Sequence, residues 1–159
     1  MEIYKKILKL NLPFYKYDII KKNDKLFIKD IIKSKYLILT PEEWVRQHFI
    51  NFLITEKKVP AKLIRTESKL VYNKMTKRTD ILVYAQEGHQ LLLIECKASH
   101  IKLNEKTVFQ LSIYNAKLKT PFIAITNGIQ HYFWHKINEN EYARLKELPD
   151  YGEMNKYYT

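Results

Sequence analysis

The sequence predicts a single α/β domain in which a central mixed β-sheet is flanked by helices. Runs of β-branched and aromatic residues lie on both sides of a segment with helical signals, as expected for a mixed fold. The run Leu91-Leu92-Leu93-Ile94 is continuously apolar, which is typical of a central strand covered on both faces. A length of 159 residues with 46% hydrophobic content suits one domain with its own core.

The first elements are an N-terminal segment that allows two interpretations and a helix whose start is indicated by capping residues. Residues 14–39 indicate either a strand pair or a strand, a turn and a helix. Thr40-Pro41-Glu42-Glu43 is typical of a helix start, because Thr is a preferred N-cap, Pro is favoured at the first helical position and Glu43 completes a capping box. A helix over about 41–55 follows. At about 100° per residue, its apolar stripe runs close to Glu42, whereas Glu43 points away from it.

The remaining elements alternate between strands and helices, giving the order helix, three strands, helix, two strands, helix. Strands are predicted at 62–72, 79–85, 90–98, 122–126 and 131–137. Asn104 caps a helix that runs to about Leu118, and a short helix over about 139–148 stops at Pro149. We therefore divide the domain, residues 1–159, into an N-terminal extension (1–39), a core (40–137) and a C-terminal helix and tail (138–159).

Composition excludes several classes of protein. Lys and Arg number 28 against 17 Asp and Glu, and the resulting charge of +11 favours an extended acidic partner such as nucleic acid. With three glycines and neither GxGxxG nor GxxxxGK[ST], the chain is expected to carry no ATP-driven motor and no dinucleotide-binding fold. The absence of an apolar run of about 18 residues predicts no membrane span. The single cysteine, Cys96, excludes an internal disulfide framework and favours a reducing cytoplasm.

The chemistry is expected where two neighbouring strands end in charged residues. Asp80 opens one predicted strand, and Glu95-Cys96-Lys97 closes the next after a short turn, so the two strands should be antiparallel neighbours. Strand alternation puts Glu95 and Lys97 on one face, about 6.6 Å apart, and turns Cys96 to the packed face. Two converging carboxylates suit Mg²⁺, and a lysine beside them can orient a water or help to deprotonate it. The alternative interpretation is an ordinary surface ion pair.

These residues resemble the PD-(D/E)xK nuclease superfamily, and within it the N-terminal nuclease domain of type I restriction enzyme R (HsdR) subunits. The resemblance covers about residues 27–137, with Thr79 in place of the proline that usually precedes the aspartate. Its most specific blocks are Leu39–Gln47, Thr76–Tyr84, Ile94–Ala98 and Thr126–Tyr132.

The resemblance implies a restriction-endonuclease-like core in αβββαβ order and a Mg²⁺-dependent DNA endonuclease activity, with Mn²⁺ able to substitute. Asp80 and Glu95 would be the metal ligands and Lys97 the catalytic lysine. Gln110 and Tyr114 would form the family's QxxxY element, and as an i, i+4 pair they share one helix edge. Glu42 would be the acidic residue of the first helix that faces the metal, with a salt bridge to Arg46 as its alternative.

The resemblance does not decide how the whole protein is organised or which partners it needs. Complete R subunits carry a helicase-like motor that this sequence does not, so it could be a free-standing nuclease, a fragment or a relative that acts with other restriction-system subunits. The alternative function is a basic DNA-binding or assembly module without turnover.

Other residues have two interpretations each. The aromatic run Tyr132-Phe133-Trp134 could stack on bases or pack in the core, and strand spacing argues against joint metal binding by His131 and His135. Basic residues near Asp80 either contact phosphates or form a solvated face: Lys57, Lys58, Lys62, Arg65, Lys69, Lys74, Lys77 and Arg78.

Overall fold

The computed structural model describes residues 9–72, 75–104, 106–108, 110 and 120–158. Two sheets organise them. The smaller sheet has the order β1-β2-β3, with β1 (Ile19–Lys22), β2 (Lys25–Lys29) and β3 (Tyr36–Ile38). The larger sheet has the order β4-β5-β6-β7-β8-β9, with β4 (Ile64–Tyr72), β5 (Met75–Tyr84), β6 (Gln90–Cys96), β7 (Phe122–Thr126), β8 (His131–Asn138) and β9 (Glu141–Leu145).

The larger sheet is mixed, because β6 and β7 are parallel whereas its other neighbouring strands are antiparallel. Helix α1 (Pro41–Thr55) packs on one face, and a short helix α2 (Tyr151–Asn155) follows the last strand. Single 3-10 turns lie at Ala61–Leu63 and Lys156–Tyr158. The predicted α/β class is confirmed: a six-stranded mixed sheet flanked by helices, consistent with a restriction-endonuclease-like core.

Helix α1 begins and ends where the sequence predicts. The Thr40 hydroxyl accepts a hydrogen bond from the Glu43 backbone N–H at 3.0 Å, and Pro41 occupies the first turn. The apolar stripe of the helix is fully buried at Val45, Phe49 and Leu53. It packs against the β5 and β6 side chains that share its face of the sheet, including Ile81, Val83, Leu92 and Ile94.

The two faces of the larger sheet bury different residues. Alternation along β5 and β6 sends every second side chain toward α1, and the others form a second apolar cluster on the opposite face. The buried members of this second cluster are Leu82, Leu93, Ile123 and Ile125. Asp80 and Glu95 belong to the same alternating sets as Leu82 and Leu93, but the Asp80 carboxylate also contacts the Cys96 backbone N–H and Arg46 of α1, so the predicted site is not confined to one face.

At the N-terminus the structure selects the strand pair. Strands β1 and β2 form a hairpin whose turn residues Asn23 and Asp24 both have positive φ, at 49° and 60°. Asn and Asp tolerate this left-handed region better than other non-glycine residues, which explains their place in a tight turn. Strand β3 then pairs with β2 and completes the small sheet.

The predicted helix over 139–148 is wrong. That segment forms β9, an antiparallel neighbour of β8. The Asn138 side chain stabilises the connecting turn, because its oxygen accepts the Asn140 N–H at 3.0 Å and its nitrogen donates to Glu141 at 3.0 Å. Pairing with β8 therefore overrides the helical propensity of the segment. The helix begins only after Asp150, whose side chain accepts the Glu153 backbone N–H.

The predicted helix from Asn104 is described only at its start. The Asn104 side chain accepts the Thr107 backbone N–H at 2.9 Å, as expected of an N-cap, and residues 106–108 and 110 are helical. Residues 111–119, and with them Tyr114, lie outside the described residues. Within the part of the chain that the structure describes, no helix is long and apolar enough to cross a bilayer.

We expect the stability of the protein to fall in mild acid because of a buried histidine in α1. His48 lies among aromatic rings, 4.1 Å from Trp44 and 4.9 Å from Tyr15 between centroids, and burial lowers its pKa below 6.5. The folded state therefore binds fewer protons than the unfolded state, and stability is lost as the pH falls through 6.5 toward the folded pKa.

Urea unfolding at about pH 7.5 and about pH 5.5 measures this effect. In His48→Asn, which keeps a donor for the Trp44 carbonyl, the loss between the two pH values should be smaller than in the wild type, by at most about 1.4 kcal/mol per pH unit. His100→Asn, on an exposed turn, serves as the control. An unchanged pH dependence in His48→Asn would contradict this assignment.

Candidate active site

Asp80 and Glu95 face each other across β5 and β6. The strand register pairs Ile81 with Ile94, and continuing it by one residue sets Asp80 opposite Glu95. Directly opposed residues of antiparallel strands point to the same face, so the two carboxyl groups are neighbours. This is the arrangement that the short turn and the strand alternation predict.

Two donors hold the Asp80 carboxylate in place. One oxygen accepts a hydrogen bond from the Arg46 guanidinium at 3.1 Å, and the other accepts the Cys96 backbone N–H at 2.9 Å. Because the Cys96 backbone N–H donates to this carboxylate, the side chain of Asp80 connects the end of β6 to the middle of β5. Asp80 is thus fixed both by the helix beneath the sheet and by the strand beside it.

Glu95 is half-buried and strongly perturbed. Burial first, and then the charge of Asp80 and a hydrogen bond with it, raise the pKa of Glu95 to about 7, against a smaller opposing effect of Lys97. The Glu95 carboxylate lies 3.1 Å from the Lys97 ammonium. A carboxyl group whose pKa is raised by burial and by a neighbouring carboxylate belongs to a site that gains from an added cation.

Lys97 is held as an ammonium group. Burial lowers its pKa, but the hydrogen bond with Glu95 and the charges of Glu95, Glu42 and Asp80 outweigh burial and raise it. The Lys97 backbone N–H donates to the Thr126 carbonyl at 2.8 Å, which ties the residue to β7. At neutral pH the side chain is therefore a hydrogen-bond donor.

Arg46 of α1 joins the site to the first helix and to β4. Its side chain is 7% exposed, and its guanidinium contacts four carboxylates: Glu42 at 3.4 Å, Glu43 at 2.6 Å, Glu67 at 3.1 Å and Asp80 at 3.1 Å. The sequence indicated only the pairing with Glu42, through their i, i+4 spacing. The contact with Asp80 was missed, and no local signal in the sequence points to it.

The predicted orientation of the two helix glutamates is partly wrong. Glu43, expected to point away from the packed stripe, is 6% exposed, and its carboxylate accepts hydrogen bonds from Arg46 and from Gln47. The side chain of Glu42 is 43% exposed, although it pairs with Arg46 and its charge acts on Lys97. The physical reason is that the helix is buried on all sides from Glu43 to Ile50, so a single stripe does not define its buried surface.

A kink in β4 brings a further acid to Arg46. Glu67 has φ 51°, in the left-handed region, and the pairing of β4 with β5 passes from Thr66–Ile81 to Ser68–Thr79. The position left out of the pairing is Glu67, which lies opposite Asp80. The Glu67 carboxylate contacts Arg46 and also lies 3.6 Å from Lys33.

The donor set at Asp80 and Glu95 fits a hard divalent cation. A carboxylate offers about four lone-pair positions, and the two donors on Asp80 use only two of them. Mg²⁺ is commonly bound by one or two carboxylates, with waters and a substrate phosphate completing its shell. Among the described residues no group of three or more His, Cys, Asp or Glu side chains forms a protein-only metal cage.

The structure describes most of the other residues that the sequence analysis considered. Gln110 is helical and exposed, and its QxxxY partner Tyr114 lies outside the described residues. His131 bonds to Thr126 and to the Asn11 carbonyl, while His135 stacks on Phe122, so the two histidines do not form a metal site. Cys96 is fully buried, as predicted.

The basic residues near the site are described only in part. The Arg65 guanidinium donates to the carbonyls of Lys62 and Ile64, and Lys57 lies over the Phe52 ring. Of the side chains of Lys69, Lys74, Lys77 and Arg78 nothing is described.

Comparison with known proteins gives one family match. Residues 41–149, more than half of the chain, match the family described as type I restriction enzyme R protein N terminus (HSDR_N). No curated protein matches the chain. The matched segment contains α1, β4 to β9, and all the residues of the candidate site.

Proposed function

Because the chain belongs to the family of type I restriction enzyme R protein N termini, we propose that it is a Mg²⁺-dependent endonuclease-type module that hydrolyses phosphodiester bonds of DNA. The observation that supports this most directly is the contact between the carboxyl groups of Asp80 and Glu95, with the Lys97 ammonium 3.1 Å from Glu95. We further propose that its partners are DNA and other subunits of a restriction system.

In this proposal Asp80 and Glu95 hold the metal ion, for which Mn²⁺ can substitute. When bound, the ion would stabilise negative charge on the oxygens of the scissile phosphate. Arg46 and the Cys96 N–H keep Asp80 in position from two sides. Lys97, held as an ammonium group, donates a hydrogen bond that orients the attacking water.

Three further residues have supporting roles in the proposal. Glu42 acts on the site through its charge, which helps to keep Lys97 protonated. Gln110, exposed on the helix that follows β6, contacts the DNA backbone. A role for Tyr114, which lies outside the described residues, rests on the QxxxY pattern of the family alone.

Cleavage of plasmid and single-stranded DNA in Mg²⁺, Mn²⁺ or EDTA tests the proposal. We expect Lys97→Gln to lower the metal-dependent rate by about 10²- to 10³-fold, the typical effect of removing one donor from a reacting group, with little change in DNA affinity. Lys22→Gln, at an exposed position of β1, is the matched control. Equal rates in the wild type and Lys97→Gln would reject the role of the lysine.

A second candidate function is a basic DNA-binding or assembly module without turnover. The contact of Arg46 with Asp80 favours it, because an internal cation already neutralises one of the two acids. This function predicts salt-dependent DNA binding that Glu95→Ala leaves intact or improves, and no metal-dependent products. Metal-dependent cleavage that Glu95→Ala removes would decide for the endonuclease.

A further inference from the structure

A cavity of about 520 Å³ opens on the face of the larger sheet opposite α1. It lies between the start of the helix after β6 and the last two strands. Its walls are formed by Leu103, Asn104, Val108, Tyr132, Trp134 and Arg144. Its volume is within the range of small-molecule sites, which is about 300 to 1,000 Å³.

The strand register fixes the distance of this cavity from the acids. Glu95 of β6 is paired with Ile125 of β7, and Ile125 is paired with Tyr132 of β8. Neighbours across strands share a face, so Glu95, Ile125 and Tyr132 form one row across the sheet. With strands about 4.8 Å apart, Tyr132 stands about 10 Å from Glu95.

The aromatic side chains of the cavity are arranged for stacking. The Tyr132 and Trp134 rings are 6.0 Å apart and inclined by 21°, and the Arg144 guanidinium lies 4.5 Å from the Tyr132 centroid. Both rings are only half-buried, whereas Phe133 between them is 7% exposed in the core on the other face. Both rings also pack against the cluster of Leu82, Leu93, Ile123 and Ile125, and Arg144 lies over the Tyr132 ring, so the partly exposed Trp134 ring is the main aromatic surface that lines the cavity.

We propose that this cavity binds an unpaired base of the DNA strand whose phosphate lies at Asp80 and Glu95. The inference rests on the proposed function, which places a DNA phosphate at the other end of the row. Every base has a π-face, so an aromatic pair binds bases with little sequence preference. Arg144, exposed at the rim, adds a positive charge for the backbone of the same strand.

Binding of two matched strands to the whole protein in EDTA tests the inference. One is a short labelled single-stranded oligonucleotide, and the other is the same sugar-phosphate chain without bases; fluorescence anisotropy gives the affinities. Stacking of one base changes affinity about five- to hundredfold, so the wild type should bind the abasic strand more weakly by such a factor. In Trp134→Ala this difference should shrink toward one, and Trp134→Phe should retain part of it.

Phe14→Ala is the matched control, because it removes an aromatic ring that is 81% exposed elsewhere on the surface. Equal affinity of the wild type for the two strands would overturn the inference, whatever the folding of the variants. That result is independent of cleavage, since the proposed function fails only if metal-dependent products are absent. The two failures are therefore distinguished by separate measurements.

Discussion

Asp80→Asn is expected to lower metal-dependent cleavage by at least about a thousandfold while the protein stays folded. The ion would lose one of its two charged ligands, and several kcal/mol of transition-state stabilisation correspond to rate factors of this size. The asparagine oxygen can still accept the Cys96 N–H, and Arg46 keeps its contacts with Glu42, Glu43 and Glu67. Cleavage rates in Mg²⁺, together with thermal unfolding, measure the two effects separately.

Asp24→Asn provides the comparison for this variant. Asp24 lies in the exposed β1–β2 turn, where asparagine also tolerates a positive φ. The Asp24→Asn protein should cleave DNA at the wild-type rate. If Asp80→Asn also cleaved at that rate in Mg²⁺, Asp80 could not be a metal ligand, and the module without turnover would be the better description of the protein.

Arg46→Met is expected to destabilise the protein by about 3–5 kcal/mol, the usual result of removing one partner from a buried ion pair. Glu43 would lose the guanidinium 2.6 Å from its carboxylate, and burial already raises its pKa. Urea unfolding gives the free energy directly. Arg46→Lys should rescue little, because an ammonium cannot reproduce the fork of donors that contacts several carboxylates.

A double variant separates buried charge from packing in this cluster. Glu43→Gln in the Arg46→Met background removes the unpaired charge, so it should recover part of the lost stability, and this coupling is the signature of an ion pair. Arg65→Met, at an exposed position whose guanidinium contacts backbone carbonyls, should change stability little. An Arg46→Met protein as stable as the wild type would show that the cluster is not a structural element.

The acids on the strands could be predicted because their arrangement is local. Asp80 and Glu95 belong to two strands joined by a short turn, and strand alternation then determines which side chains share a face. The same reasoning correctly turned Cys96 into the core and separated the two histidines of β8. The bounds of α1 followed from equally local capping signals at Thr40 and Pro41.

What the sequence could not predict depends on distant contacts. Arg46 contacts Glu67 21 residues away and Asp80 34 residues away, and helical phase gives the direction of a side chain without saying what covers it. For this reason the sequence predicts the place of Glu43 in the capping box but not its burial beside Arg46. The segment over 139–148 shows the same limit, because only the edge of β8 decides that it becomes a strand.

The left-handed residue in β4 also bears on how the protein behaves in concentrated solution. β4 is an edge strand of nine residues, and a straight edge of that length offers a row of backbone groups on which a second chain can assemble. Glu67, the fourth residue of the strand, interrupts that row with its left-handed backbone. The irregularity that supplies an acid to Arg46 thus also hinders assembly with a second chain along this edge of the sheet.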